Sequence, residues 1–359
     1  MKRSVVALLT LVYAITSTGQ QRGIIAVPDI PGYETLVCDF HLHTVFSDGL
    51  VWPTVRVDEA WYEGLDAIAI TDHLEYLPHE EFIRTDHNQP WQLAKQYAAN
   101  KDVIVIAGTE ITKEMPPGHF NALFIKDASA ILNDDYEKAI EKAVDQGAFI
   151  IWNHPGWVVQ QPDTMKWWDE HTSLYDKGWL HGIEVVNSDE YYPEAINWAR
   201  ARELTMMGNS DKHGPFLSGK FTPEDHRSCT FVFATGRSEG AIREALFNNR
   251  TAAYIGKNVI GKSSLLEALF LQSVRLKPPN PERQFYYFTN NTDLQFDLLL
   301  EDVIYGDWQK KITIHPGHES VFSLHPESTP EDIQVSVLNF LTGSDEVLKL
   351  SFSAIKPVQ

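Results

Sequence analysis

Only two of the 359 residues are cysteine, Cys38 and Cys229, so disulfides can contribute at most one bridge. Both lie in apolar, strand-like runs, a context that favours buried free thiols. Basic residues are scarce as well: 30 lysines and arginines face 49 aspartates and glutamates, a formal net charge of −19. That surplus repels nucleic-acid backbones and anionic membranes at long range, and no basic tract offsets it, which argues against a nuclease. No internal repeat, low-complexity tract or glycine-rich phosphate loop is present, which argues against solenoids, disordered chains and phosphate-loop enzymes. After the first fifteen residues no apolar run is long enough for a membrane helix. What is present is a hydrophobic fraction of 43% with ten tryptophans, a composition suited to a well-packed chain long enough for two domains.

The chain opens like an export signal. Met1-Lys2-Arg3 is positive, Val5 to Ile15 is apolar but too short to span a bilayer comfortably, and Thr16 to Gly19 are small residues suited to cleavage before Gln20. The expectation is a signal peptide over residues 1–20, an exported periplasmic or extracellular protein, and no integral membrane segment once the signal is removed. No cysteine directly follows the apolar core, so no lipoprotein anchor is expected.

Beyond residue 34, strands and helices alternate. The run Thr35-Leu36-Val37 reads as a strand that delivers His41 and His43, which point the same way because strand side chains alternate. Pro53 opens a helix with Val57, Ala60 and Trp61 as its apolar stripe and Gly64 as its stop. Strands over 65–70 and 103–107 end in Thr71-Asp72-His73 and Gly108-Thr109-Glu110, with an inserted loop and helix over 74–101. A strand begins at His119, a helix covers 134–146, and a strand over 148–152 delivers His154 and Trp157. The strand over 182–186 carries Glu184. A helix near 192–203 precedes Asp211-Lys212-His213, and residues 229–233 open a last strand–helix unit. Alternation of this kind argues for a parallel α/β sheet, with polar clusters at the strand ends where a β/α barrel places its active site. After the proline-rich stretch at 277–281, short alternating runs predict a small antiparallel β-sandwich. The expected division is a barrel over 21–265 and the β-sandwich over 266–359.

The strand-end donors, in order, are His41, His43, Asp48, His73, Glu110, His119, His154, Asp211 and His213. Imidazole and carboxylate are common ligands of zinc, manganese and iron. Nine donors exceed the needs of one ion and suit two or three divalent ions. Glu110 is the natural bridge, since a carboxylate can divide two oxygens between cations.

In these residues the chain resembles the PHP (polymerase and histidinol phosphatase) family of metal-dependent phosphoesterases. His41-x-His43, Thr71-Asp72-His73, Glu110 with His119, and Asp211-x-His213 match its four motifs, with His154 between the last two, over roughly residues 35–260. The resemblance implies an α/β fold, a distorted, TIM-like (β/α)7 barrel with a trinuclear site at the strand C-terminal ends. By matching position it implies one ion on His41, His43, Glu110 and Asp211, a second on Glu110, His119 and His154, and a third on Asp48, His73 and His213. Asp48 stands where some members have histidine. The implied reaction is phosphate-ester hydrolysis by a metal-bridging hydroxide attacking in line, with no serine or cysteine nucleophile. The export signal, the His154-Pro155-Gly156-Trp157 segment, Asp225-His226-Arg227 and the appended β-domain look like the secreted Sb-PDE-like phosphodiesterases. Small organic phosphodiesters are therefore the expected substrates.

Other residues carry expected roles around that centre. Asp72 is read as orienting a ligand or accepting a proton, with capping of the next loop as its rival role, and Glu110 and His213 as partners in the chemistry. Lys212 and Arg227 are candidates to hold a phosphate oxygen, against simple salt bridging, and Trp157, Trp52 and Tyr76 to shape the pocket, against simple packing. Glu184 faces the same end, as a possible buried acid bonded to a neighbour. The enzymatic alternative is a phosphomonoesterase of the histidinol-phosphatase type, which export disfavours. The non-enzymatic one is a metal-containing surface-binding protein. The expected partner is a small phosphate ester, not a nucleic acid, and oligomeric state is not legible.

Overall fold

The computed structural model describes residues 21–83, 86–216, 226–277, 285–300, 311–323 and 332–353. The expected signal peptide and Asp225 lie outside the described residues. Strand β1 (Glu34–Asp39) is followed by α1 (Pro53–Glu63), β2 (Ala67–Ile70), α2 (Gln89–Ala98) and β3 (Ile104–Ile111). The three strands pair in parallel, β1 with β2 and β2 with β3. Pro53 opens α1 where its missing amide costs nothing, and Gly64 closes it at φ +85°, a conformation that side chains oppose. In β2, Ala67 and Ala69 join one buried cluster while Ile68 and Ile70 join another. Both faces of that strand are covered, as a parallel strand requires, and each isoleucine contributes roughly 1.5–3 kcal/mol by burial.

The next strands depart from simple alternation. β4 (Phe120–Leu123) runs antiparallel to β3 and also to β5 (Phe149–Trp152), which follows α3 (Tyr136–Asp145). The short link from β3 to β4 cannot make the crossover that a parallel pairing needs, so the chain turns straight back. His119 therefore precedes its strand instead of following one. The reversed direction brings the start of β4 to the edge where the parallel strands end. Helix α4 (Asp169–Asp176), not expected from the sequence, then leads to β6 (Gly182–Asn187), β7 (Glu190–Tyr191), α5 (Pro193–Arg202) and β8 (Thr205–Asn209). β6 is parallel to both β5 and β8.

β9 (Cys229–Ala234), followed by α6 (Glu239–Phe247), is the second departure, since it pairs antiparallel with β1 and is not another parallel unit. Side chains tie β8 to it: Thr230 Oγ1 accepts from the Gly208 amide at 3.0 Å and donates to the Gly208 carbonyl at 2.7 Å. A parallel bridge between Leu42 and Lys212 joins the extensions of β1 and β8. Cys38 and Cys229 are buried free thiols, and burial pushes both thiols up from their ordinary pKa.

The chain continues through β10 (Thr251–Ile255), β11 (Asn258–Gly261), α7 (Ser263–Ser273), β12 (Val274–Lys277), β13 (Phe285–Asn290), β14 (Phe296–Leu300), β15 (Lys311–Ile314), β16 (Glu319–Ser323), β17 (Asp332–Leu341) and β18 (Val347–Ser353). β12, β13 and β16 form a separate antiparallel sheet. The other C-terminal strands continue the main sheet, because β11 pairs in parallel with β17. Phe270, Phe288, Phe296, Phe340 and Phe352 share one buried cluster with Val37, Val57 and Ile68. The C-terminal β layers thus pack onto the α/β part through common apolar surface. No helix among the described residues is long and apolar enough to cross a membrane.

Candidate metal centre

Beyond β1 the chain is gripped by its neighbours. The Leu42 amide donates to Thr71 Oγ1 at 3.0 Å, its carbonyl accepts from the Thr71 amide at 2.9 Å, and the His43 amide donates to the Lys212 carbonyl at 3.1 Å. Extended backbone held in this way turns His41 and His43 to one side, with ring centroids 5.1 Å apart. The next loop folds back on them. The Gly49 amide donates to the Thr44 carbonyl at 2.9 Å, and a Cβ on Gly49 would lie 2.5 Å from the His43 backbone. Glycine alone permits that approach, which returns Asp48 to the histidines. Glu110 stands within β3 and bridges to His73 across the end of β2. His154 and Asp211 have φ of +26° and +49°, unusual for side chains of their size and a frequent mark of functional positions.

All nine donors converge. They form overlapping sets whose ligand atoms lie within 4.8 Å of one another: His43, Asp48, His73 and His213; His41, Glu110 and His154; His41, His43 and Asp211; His73, Glu110 and His119. Glu110 divides its oxygens between sets. Its Oε2 is 3.5 Å from Nε2 of both His41 and His43 and 2.8 Å from His73 Nδ1. Its Oε1 is 3.2 Å from His119 Nδ1 and 3.5 Å from His154 Nε2. Asp211 Oδ1 lies 3.3 Å and 3.0 Å from Nε2 of His41 and His43. Asp48 Oδ2 lies 3.2 Å from His213 Nε2, and Oδ1 3.6 Å from His73 Nε2.

Four of these buried atoms, His41 Nε2, His43 Nε2, Glu110 Oε2 and Asp211 Oδ1, make no hydrogen bond. Each such atom costs roughly 1–3 kcal/mol, so four converging on one point need a partner that accepts their lone pairs. A divalent cation fits that description, in both donor type and charge. The titration behaviour agrees. Burial would raise the Glu110 carboxyl, but His73, His41 and His119 hold it well below the usual range. Asp211 is held down in the same way, against its burial, by His41 and His43. Burial would lower His73, yet Glu110 and Asp48 raise it to about 10. His43, buried beside His73, is pushed down to about 3. The carboxylates call for positive charge, which protons on imidazole provide until a cation displaces them.

Outer contacts orient these donors. Glu184 on β6 accepts from His41 Nδ1 at 2.9 Å, the His154 amide at 2.7 Å, Asn187 Nδ2 at 2.8 Å and Asn209 Nδ2 at 2.9 Å. A proton on Nδ1 leaves the lone pair of Nε2 facing inward. Asn153 Nδ2 donates to Glu110 Oε1 at 2.8 Å. Asp72 takes the capping role. Its buried carboxylate accepts from the Thr44 amide and hydroxyl, each at 2.7 Å, and from Ser47 Oγ at 2.6 Å. It clamps the loop that carries Asp48 and is not among the residues lining the cleft.

That cleft has a volume of about 770 Å³ and is lined by seven of the nine donors together with Tyr76, Trp157 and Tyr192. Trp157 lies against it, its ring 5.8 Å from that of His119 and 5.4 Å from that of His154. Arg227 does not reach it, contrary to its expected role. Its guanidinium is buried against Asp39 Oδ2 at 3.0 Å and Glu63 Oε2 at 2.6 Å, in the layer beneath the donors. Lys212 Nζ sits 5.0 Å from the Phe216 ring centroid, and Lys212 is not among the residues lining the cleft. The sequence does not single out Arg56, Asp39 or Asn153, which organise the donors from outside. One signal for Arg56 is legible in retrospect: Arg56, Glu59 and Glu63 recur at helical spacing on the buried face of α1.

No protein-family model matches the chain. It is 44% identical to a two-domain protein of Bacteroides vulgatus, known from a crystal structure and containing a predicted PHP-like metal-dependent phosphoesterase. The match covers 93% of this chain and 99% of that one, with a TM-score of 0.88. The chain is also 35% identical over 188 residues to an uncharacterized protein of Methanocaldococcus jannaschii, a match covering 49% of this chain and 81% of that protein.

Proposed function

The chain belongs to the PHP-like metal-dependent phosphoesterases, and from that premise we propose that it hydrolyses phosphodiesters of small organic alcohols at a centre of two or three divalent ions. The observation that carries this reading is the buried, unbonded group of His41 Nε2, His43 Nε2, Glu110 Oε2 and Asp211 Oδ1, two of whose residues, Glu110 and Asp211, also line the cleft. His41, His43, Glu110 and Asp211 would hold one ion, Glu110, His119 and His154 a second, and Asp48, His73 and His213 a third. Bound there, zinc, manganese or iron supplies Lewis acidity and a water that ionises near neutral pH. The chain itself does the arranging. Glu110 splits its two oxygens between donor sets, Glu184 selects the His41 tautomer, and Asp72 holds the Asp48 loop in place. His213, with 38% of its side chain exposed, stands on the solvent side of its set.

Two features favour a diester over a monoester. No lysine or arginine is among the described residues lining the cleft, so beyond the ions themselves a dianionic terminal phosphate would lack the side-chain cation that usually pairs with its second charge. A diester carries a single charge. The cleft, about 770 Å³, is also lined by Tyr76, Trp157 and Tyr192 beside the donors, which leaves room for alcohol groups on the phosphorus. Export and the likeness to secreted Sb-PDE-like phosphodiesterases rest on the sequence, through residues 1–20 and the appended β-domain. The division into a barrel over 21–265, closed by the side-chain bridges between β8 and β9, and a β-sandwich over 266–359 belongs to the same proposal.

Metal analysis followed by turnover of bis-(p-nitrophenyl) phosphate and p-nitrophenyl phosphate tests the reading. Diester turnover that exceeds monoester turnover, stops on chelation and returns with added metal supports it. Metal-loaded protein inert on both esters overturns it. Preference for the monoester overturns the diester assignment and favours the histidinol-phosphatase type.

A further inference from the structure

The donors stand on backbone of unequal firmness. Glu110 lies inside a paired strand, and His119 and His154 adjoin β4 and β5, which pair with each other. His43, Asp211 and His213 instead lie past the ends of β1 and β8, where the Leu42–Lys212 bridge joins the two stretches. Helix α1 reinforces that junction through one side chain. Arg56 is fully buried and donates to four main-chain carbonyls drawn from both stretches. Its Nε reaches the His43 carbonyl at 2.9 Å, its Nη2 reaches Lys212 at 2.8 Å and His213 at 2.7 Å, and its Nη1 reaches Gly214 at 2.9 Å. Glu59 supplies the countercharge, with Oε2 accepting from Nη1 at 2.8 Å, and its Oε1 accepts the Phe216 amide at 2.7 Å. A buried ion pair adds little net stability once desolvation is counted, so stability alone does not explain this arrangement. A planar fork of five donors, four of them filled by carbonyls from two chain segments and one by the Glu59 carboxylate, does fix the separation of those segments.

We propose that Arg56 is a positioning residue for the metal centre. By tying the His43 carbonyl to those of residues 212–214, it sets the distance between donors on the two stretches. It thereby governs retention of the ions held through His43, Asp211 and His213, while the Glu110, His119 and His154 side stands independently on its strands. The proposal rests on the reading of the nine donors as metal ligands. Lysine does not substitute for Arg56, because three donors on one nitrogen cannot reach carbonyls spread around a plane.

The test compares wild type, R56K and R56A with R237K. Arg237 pairs with Asp66 and Asp102 and touches none of the nine donors, so R237K controls for loss of an arginine ion pair. The readouts are metal stoichiometry after dialysis, the rate of zinc release to a chelator, and thermal melting of the metal-free proteins. R56K is expected to fold, to keep the ion held by Glu110, His119 and His154, and to release the others about 10- to 100-fold faster. Millimolar guanidinium should slow that release in R56A, and R237K should match wild type. Wild-type release from R56K overturns the proposal. So does equal loss of every ion together with a collapsed melting transition that guanidinium leaves unchanged, since Arg56 would then serve stability alone. Wild-type protein that binds no ion overturns the reading of the donors, and that outcome is visible before any variant is made.

Discussion

Replacing Glu184 by glutamine preserves the volume of a buried side chain while removing its charge and half of its accepting capacity. Glu184 accepts four hydrogen bonds, with His41 Nδ1 and Asn209 Nδ2 sharing Oε1, and the His154 amide and Asn187 Nδ2 sharing Oε2. Whichever way the new amide turns, its NH2 meets two donors that had faced a carboxylate oxygen. Hydrogen bonds to a charged group contribute roughly 1.5–3 kcal/mol each, so the metal-free protein should lose about 3 kcal/mol at the lower end. If the NH2 faces His41, the imidazole must accept at Nδ1 and carry its proton on Nε2. That nitrogen lies 3.5 Å from Glu110 Oε2 and 3.3 Å from Asp211 Oδ1, and it would no longer offer a lone pair there. Metal affinity through His41 should then fall about 10- to 100-fold. Urea unfolding of the metal-free protein measures the first effect, and zinc titration against a competing chelator measures the second. A Glu184→Gln variant with wild-type urea midpoint and wild-type zinc affinity would refute the argument, because Glu184 would then neither stabilise the site nor set the His41 tautomer.

Three further outcomes are expected. His41→Ala or Asp211→Ala should abolish turnover with loss of bound metal, and wild-type rates in either variant contradict the ligand assignment. Arg227→Gln leaves Asp39 and Glu63 buried without their cation and should cost about 3–5 kcal/mol of stability, seen in urea unfolding. KM for the diester should stay unchanged in the metal-loaded fraction, whereas a raised KM would restore Arg227 to phosphate binding. His171 is fully buried, accepts the Trp168 amide at Nδ1 at 3.1 Å and bonds the Pro117 carbonyl through Nε2 at 2.8 Å. Burial outweighs that carbonyl and lowers its pKa from 6.5 to about 4. The folded chain therefore takes up this proton less readily than the unfolded one. The stability it contributes is present above pH 6.5 and is lost as pH falls toward 4, about 3 kcal/mol at most. Unfolding free energies of metal-free protein across that window should fall less steeply in His171→Gln, and an equal slope refutes the assignment.

Local pattern stops carrying information where long-range pairing sets the direction of a strand. Residues 119–125 look like any apolar strand, and nothing in them says that β4 runs against its neighbours. The short return from β3 imposes that direction, and it puts His119 among the donors from the start of a strand. Cys229–Ala234 looked equally ordinary, yet its antiparallel pairing with β1 leaves Arg227 in the buried layer with Asp39 and Glu63. Helix α4 carries no Ser, Thr, Asp or Asn at its cap, and Trp168 and His171 take that place. Asp72 was legible as a polar residue at a strand end. Its attachment to Thr44 and Ser47, and not to the cleft, was not.

The amino-acid sequence by itself determined which atoms can bind a cation and which strand ends carry them, because ligand chemistry belongs to single side chains and the two-residue alternation of a strand is local. Tertiary structure decided which of those atoms share an ion. The separations between the donors around Glu110 and Asp211, from 2.8 Å to His73 up to 3.5 Å to His41 and His43, depend on strand direction, on register and on buried partners such as Glu184, Asp72 and Arg56. Those partners come from distant parts of the chain, and only folding brings them within hydrogen-bond reach of the donors they hold.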